Sequence, residues 1–371
     1  MAELNPLAGI QVLEIGSSVS GPSATEILAM MGARSIKLEA PAGDPTRAWG
    51  PSTGEQRAIG FEAFNREKES IVIDLKTSDG MEQLWQLMPQ IDVVVQNLRP
   101  GLAKKMGIDA DSMRERFPKL VYCTIGAYGD AGPMKNRPGY DPLAQAFAGI
   151  MSVTGEPDRP PVRVPVPIID LGTGMWAALG VLGALQGRSR TGVGAAVSTS
   201  LLETALAWEK LAFAEFMKTG EIPKPTGASG PVVFPNGAYT TSDGELMVTI
   251  GTDTMFATFA RLVAAPEWAE DPCYSANQAR LAHADQLTQA INEKLCVKTR
   301  DEWVEIFDQH NIPNSPIQNF QEIYEHPQFK ALGMLQEHPD GSIPLLGLPI
   351  RFDGVRPSYN KIPPKLGDYQ P

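Results

Sequence analysis

Asp170 is the residue in this chain with the most chemistry to offer. It closes an apolar, proline-spaced run over 161–169 and opens a stretch rich in Ala, Gly and Leu, with Gly172 and Gly174 close behind it. The pattern predicts an extended segment that delivers a carboxylate to the start of a helix. Two readings stand side by side. In the first, Asp170 is an N-cap that accepts hydrogen bonds from the first free N–H groups of the helix. In the second, the positive helix end keeps the carboxylate ionised, the two glycines let a substrate approach, and Asp170 is a nucleophile. Other chemistries have less to work with. All four histidines, His283, His310, His326 and His338, lie in the last quarter of the chain, and no H-E-x-x-H pair occurs. Cys123, Cys273 and Cys296 are too scattered for a metal pair or a disulfide framework, which fits a reducing cytoplasm.

Two further groups of residues deserve a place beside Asp170. Asn97, Leu98 and Arg99 follow an apolar run at 91–96, where open α/β sheets bind ligands, and Lys104 and Lys105 come within the next turn. Charge alone also allows these cations to be a solvated basic face. Asp141 with Pro142 has the form of an N-cap followed by a first helical residue, and Tyr140 beside it is either packing or a site residue.

The elements that must position these residues can be read from periodicity. Strands are expected at 7–15, 32–39, 70–75, 91–96, 120–126 and 195–200, with helices at 23–31, 78–88, from 141, after 170 and at 201–218. The β-loop-α-β start predicts a parallel sheet with helices on its faces, an α/β fold of Rossmann-like topology. The loop after the first strand lacks G-x-G-x-x-G, so no dinucleotide fingerprint is present. The expected division is a large domain over 1–218, a Pro/Gly/Lys/Ser linker over 219–236, a small α+β domain over 237–318 and an extended Pro-rich segment over 319–371 that returns to the large domain. Within the small domain Asp243-Gly244 marks a hairpin, and helices are expected at 253–264, 277–295 and 299–309.

Composition narrows the partners. The net charge of −11 argues against general nucleic-acid binding, which needs a basic footprint. No basic-then-apolar leader opens the chain. No uninterrupted apolar run reaches about 18 residues, so no membrane span is expected; the helix after Asp170 comes nearest.

Several short runs, in this order and spacing, have a collective likeness. These are 12–16 with Ser20, Gly21 and Pro22; 36–39 with Gly43, Asp44 and Arg47; 97–101; Gly107; Pro133; Gly139, Tyr140 and Asp141 with Gln145; Asp170 with Gly174; 325–329; and 347–350. Together they resemble the family III coenzyme A transferases, typified by formyl-CoA and carnitine-CoA transferases, over nearly the whole chain. The resemblance implies that Asp170 is a nucleophile that attacks an acyl-CoA thioester, and that CoA is then exchanged through an aspartyl-acyl anhydride and an aspartyl-CoA thioester. It implies acyl-CoA and a free carboxylic acid as substrates, no permanently bound cofactor and no metal. It also implies an interlocked homodimer with a site shared between the chains. CoA contacts carried over are Val19, Ser20, Ala40, Ile73, Asp74, Leu75, Lys76, Asn97, Leu98, Arg99, Lys105, Tyr140 and Asp141.

Three departures qualify the match. Val19 stands where formyl-CoA transferase has glutamine, which argues against formyl-CoA and oxalate as the specific pair. Ala40 stands where it has arginine, so the adenine is expected to be held differently. The poly-glycine lid of some members is reduced to Gly227 and Gly230. A rival reading on the same fold is an α-methylacyl-CoA racemase, but its His before Asp141 is replaced by Tyr140; a catalytically silent acyl-CoA-binding protein is another.

Overall fold

The computed structural model describes residues 5–54, 57–230, 232–338 and 343–369. Its first unit comprises Met1–Ile150, Arg163–Glu221 and Lys330–Pro371, and its second Met151–Val162 and Ile222–Phe329. The small unit thus takes in 151–162 and much of the stretch read as a linker.

The large unit is built as β1 (Gln11–Ile15), α1 (Ser20–Met30), β2 (Arg34–Glu39), β3 (Lys68–Val72), α2 (Ser78–Leu87), β4 (Val93–Gln96), α3 (Leu102–Lys105), β5 (Val121–Gly126), α4 (Asp141–Ala148), α5 (Ile168–Thr191), β6 (Ala196–Ser200), α6 (Leu201–Trp208) and α7 (Lys210–Thr219). All its sheet neighbours are parallel, in the order β3-β2-β1-β4-β5-β6, which is the doubly wound Rossmann order. Both faces are covered. Val12, Val93, Val95 and Val121 pack under α1 and α5, while Leu13, Val94 and Tyr122 pack on the other side with α2. A strand buried on two faces cannot alternate, which is why 93–95 reads as three valines in a row.

α1 begins at Ser20, earlier than the expected 23, because Pro22 is tolerated in a first turn where its missing N–H has no partner to lose. α5, the helix expected to come nearest to a membrane span, is long and apolar enough to cross a membrane by length and composition alone. Its glycines show instead what it packs on. A Cβ at Gly174 would lie 3.0 Å from the Ser20 carbonyl on α1, one at Gly172 would lie 2.6 Å from the Trp208 ring on α6, and one at Gly180 2.5 Å from Val197 on β6. These are the seams of a core helix. The two glycines beside Asp170 therefore make room for helices, not for a substrate.

The segment expected to be extended from 319 carries helices at Phe320–Glu325 and Pro327–Leu332. Pro339 lies outside the described residues. From 343 the chain runs along the large unit and covers its sheet edge: Ser70 on β3 donates its N–H to Asp368 (3.0 Å) and accepts one from Tyr369 (2.8 Å). An edge strand covered in this way offers no template for stray pairing.

The small unit holds β7 (Asn236–Thr240), β8 (Glu245–Thr249), α8 (Asp253–Leu262), α9 (Ala284–Leu295), α10 (Arg300–Gln309) and β9 (Asn314–Pro316), with β8 central in an antiparallel sheet. Its core is aromatic, with Phe256, Phe259, Trp303 and Phe307 in contact. The helix expected over 277–295 is interrupted at His283. The loop at Gly227 to Gly230 is tied within this unit, by Gly227 N–H to the Gly155 carbonyl (2.9 Å) and Gly230 N–H to the Asn236 carbonyl (2.8 Å).

Candidate active site

A cleft of about 1480 Å³ opens beyond the carboxyl ends of the strands in the large unit. It is lined by the loops after β1, β4 and β5, by the start of α4 and by the first turn of α5. Strand order reverses between β1 and β4, which is where a doubly wound sheet leaves a crevice for a ligand. Its size exceeds the roughly 300–1,000 Å³ of small-ligand pockets, so it suits a long cofactor-like substrate.

Asp170 faces this cleft from inside the first turn of α5. It is not the N-cap. Pro167 occupies that position and offers no side-chain acceptor. The free N–H groups go to another helix: the Asp141 carboxylate accepts from Ile169 N–H (2.8 Å) and Asp170 N–H (3.2 Å). Asp141 is itself the first residue of α4 rather than its cap, with Tyr140 before it. Gln145 fixes it, donating to its second oxygen at 2.5 Å while gripping both the N–H and the carbonyl of Val164. Asp141 is 5% exposed and Gln145 0%.

This arrangement reverses the expected electrostatics of Asp170. Burial, and then the negative charge of Asp141, push its carboxyl up to about 7, against a hydrogen bond from the Ser20 hydroxyl. Loss of water and a like charge outweigh the helix end. A carboxyl of this kind is a stronger base, and when ionised a stronger nucleophile, than a solvated one.

The loop after β1 is held from below. Asn97 accepts from Ser17 N–H (2.9 Å) and donates to the Ser17 carbonyl (2.8 Å), with its amide 3.5 Å from the Ser20 hydroxyl. A Cβ at Gly16 would strike the Asn97 amide oxygen at 2.4 Å, so that glycine is set by close approach. Ser18 takes a positive φ of 70° and donates to Asp44 at 3.4 Å. Beneath the loop lies a buried charge cluster. Lys37 pairs with Glu14 and with Asp44 (2.8 Å) and donates to the Gly16 carbonyl (3.2 Å), while Lys68 bonds Glu14 at 2.8 Å. Burial alone would raise the Glu14 carboxyl, but Lys37 and Lys68 hold it at about 2. Charges on strands usually mark a solvent face, so this cluster was not legible as interior.

The cleft brings together Asp170, Val19, Ser20, Asn97, Leu98, Arg99, Tyr140 and Asp141. Tyr140 is 61% exposed there, a group free to meet a ligand. Ala40, Ile73, Asp74, Leu75, Lys76 and Lys105 are not among its lining residues. Ile73 is a core side chain against the sheet, and Ala40, Lys76 and Lys105 are exposed elsewhere on the unit. Sequence reasoning passed over Lys135, Arg163 and Glu203, which also line the cleft. Arg163 was visible as the one cation in the 161–169 run. Among the described residues no three His, Cys, Asp or Glu gather as a metal site.

A Rossmann-ordered sheet with a half-buried carboxylate of raised pKa at a cleft sized for a long substrate fits an α/β enzyme of covalent or acid–base chemistry. The chain belongs to CoA-transferase family III, whose pattern it matches over residues 7–369. It is 35% identical to the succinate–glutarate CoA-transferase of Agrobacterium fabrum, covering 98% of this chain and 94% of that one. It is 32% identical to the acetyl-CoA:oxalate CoA-transferase of Acetobacter aceti, covering 94% and 90%. Among solved structures, a CAIB/BAIF family protein from Brucella suis superposes with a TM-score of 0.89 at 34% identity, covering 99% of this chain and 97% of that one. The protein is a CoA-transferase, and acyl-CoA is its substrate class.

Proposed function

We propose that this enzyme moves CoA from a short dicarboxylic acyl-CoA, such as succinyl-CoA, to a second dicarboxylic acid, with Asp170 as the covalent carrier. The observation that carries the reading is the placement of Asp170 in the cleft, half-buried, with its backbone N–H held by Asp141 and the Ser20 hydroxyl bonded to its carboxylate. An oxygen of Asp170 attacks the thioester carbonyl and the C–S bond breaks, giving an acyl-aspartyl anhydride and CoA thiolate. The thiolate attacks the aspartyl carbonyl and releases the donor acid, leaving an aspartyl-CoA thioester. The acceptor carboxylate then expels the thiolate to form a new anhydride, and the thiolate takes the acceptor acyl group, restoring Asp170. Every intermediate is an activated acyl group, so positioning suffices and no external energy source enters.

Support for dicarboxylates comes from two sides. The named relatives act on succinate, glutarate and oxalate, and Arg163 and Lys135 line the cleft that holds Asp170. Arg163 is suited to grip a distal carboxylate in a fork. Among the described residues no histidine lines the cleft, which leaves the racemase reading without its base. We further propose that Val19, Ser20, Leu98, Arg99 and Tyr140 touch CoA, and that the enzyme works in the cytoplasm as a homodimer. For the dimer the support is the exposure of large apolar side chains on the large unit: Phe147 on α4, Met175, Trp176 and Leu179 on α5, and Leu211 and Met217 on α7.

The test is Asp170→Ala with succinyl-CoA and glutarate. Exchange should fall on the order of 10³-fold or more, and hydroxylamine should convert Asp170 of the unaltered enzyme to its hydroxamate during turnover, releasing CoA or the donor acid. Full exchange in the variant, or trapping elsewhere only, overturns the mechanism.

A further inference from the structure

The helix that carries Asp170 is secured by residues outside it. Its own N-cap position, Pro167, supplies no acceptor, and the first turn would have free N–H groups facing the cleft. The Asp141 carboxylate takes two of these, at Ile169 and Asp170. Its other oxygen accepts from Gln145, which in turn bonds both backbone groups of Val164 on the segment leading into α5. One buried acid and one buried amide thus join the start of α4, the approach to α5 and the nucleophile-bearing turn. We propose that Asp141, locked by Gln145, is a positioning residue for the transfer reaction: it supplies the cap that α5 lacks and brings a second carboxylate beside the nucleophile.

This rests on Asp170 being the covalent carrier and adds how that carrier is set. Two separable contributions follow. The hydrogen bonds fix where the turn sits, and hence where the nucleophile meets the thioester carbonyl. The charge opposes ionisation of its neighbour, which makes the ionised form more basic. The remaining groups toward Asp170 come from each packed element. α1 presents the Ser20 hydroxyl, a hydrogen-bonding partner of Asp170. The first turn of α6 presents Glu203, which is engaged by Ser200 at 2.6 Å. The 163–167 segment contributes Arg163 to the same cleft. Asp141 is the charged group that raises the Asp170 carboxyl, which also accords with the cap geometry.

The experiment compares Asp141→Asn and Gln145→Ala with the unaltered enzyme, using the pH dependence of kcat/KM for succinyl-CoA and glutarate. Asp141→Asn keeps one oxygen for the Ile169 and Asp170 N–H groups but removes the charge and gives up the bond from Gln145, whose donor would face the new amide NH2, so the acidic limb should move down by about one pH unit and kcat should fall as well. Gln145→Ala keeps the charge and loosens the lock, so kcat should fall roughly tenfold or more with the limb in place. An unmoved limb in Asp141→Asn, or a loss in Gln145→Ala that only tracks a lower Tm, overturns the proposal. Hydroxylamine trapping on Asp170 separates the two levels: if trapping fails in the unaltered enzyme the carrier itself is wrong, whereas normal trapping with an unmoved limb removes only the role of Asp141.

Discussion

Asp170 is held in a state that the folded chain itself disfavours. Its carboxyl sits at about 7 in the fold, against about 3.9 for an unfolded aspartate. Because the native value is the higher one, ionising Asp170 costs native stability. The cost is absent below about pH 4, grows as pH rises toward 7 and is constant above it. Asp170→Asn should therefore raise stability at pH 8 by on the order of 2 kcal/mol, allowing for partial solvent screening, and the gain should vanish at pH 4. Denaturant melts at the two pH values measure it, and equal gains at both would contradict the assignment. Glu14 behaves oppositely: held at about 2 by Lys37 and Lys68, it stabilises the fold above its unfolded value and loses that contribution only as pH falls toward 2. For substrate choice, Arg163→Ala should raise KM for glutarate roughly 10–100-fold, while a monocarboxylic acceptor should show no comparable change in steady-state kinetics.

At the scale of elements, α5 decides the architecture of the site. Gly174 lets it lie against α1, so that Ser20 and Asp170 meet across the seam. Gly174→Val should cost about 1–3 kcal/mol by overpacking and should lower exchange beyond what its stability loss explains, measured by melts beside kcat. The same helix shows what a sequence can and cannot disclose. The strand pattern and an acid at the head of a helix were readable because both depend on neighbours in the chain. The cap was not, since Asp141 and Asp170 lie 29 positions apart and each alone looks like a local cap. The glycines misled for a related reason: a residue without a side chain records that something is close, not whether it is ligand or helix. Ile73 and Lys105 were carried over by likeness, and the fold puts one in the core and leaves the other outside the lining of the cleft.

For the whole molecule, the exposed apolar side chains of α4, α5 and α7 call for a covering. Met217 is 78% exposed and Leu211 67%, far from what a solvent-facing helix of this length needs for solubility. If a second copy covers them, light scattering should give twice the chain mass, and Leu211→Lys with Met217→Lys should shift the population toward monomer and lower activity together. A single-chain mass for the unaltered protein, with full activity, would oppose the homodimer.

The loan of a cap from one helix to another also has a bearing on engineering and inheritance. Whoever transplants the segment from Ile168 onward into a different scaffold carries over the reactive acid without the group that tethers and tunes it. The acid and its tether are inherited together only when Tyr140 through Asp170 come from one parent. Recombination breakpoints that fall inside that span separate the acid from its tether and should lower activity more than they lower stability.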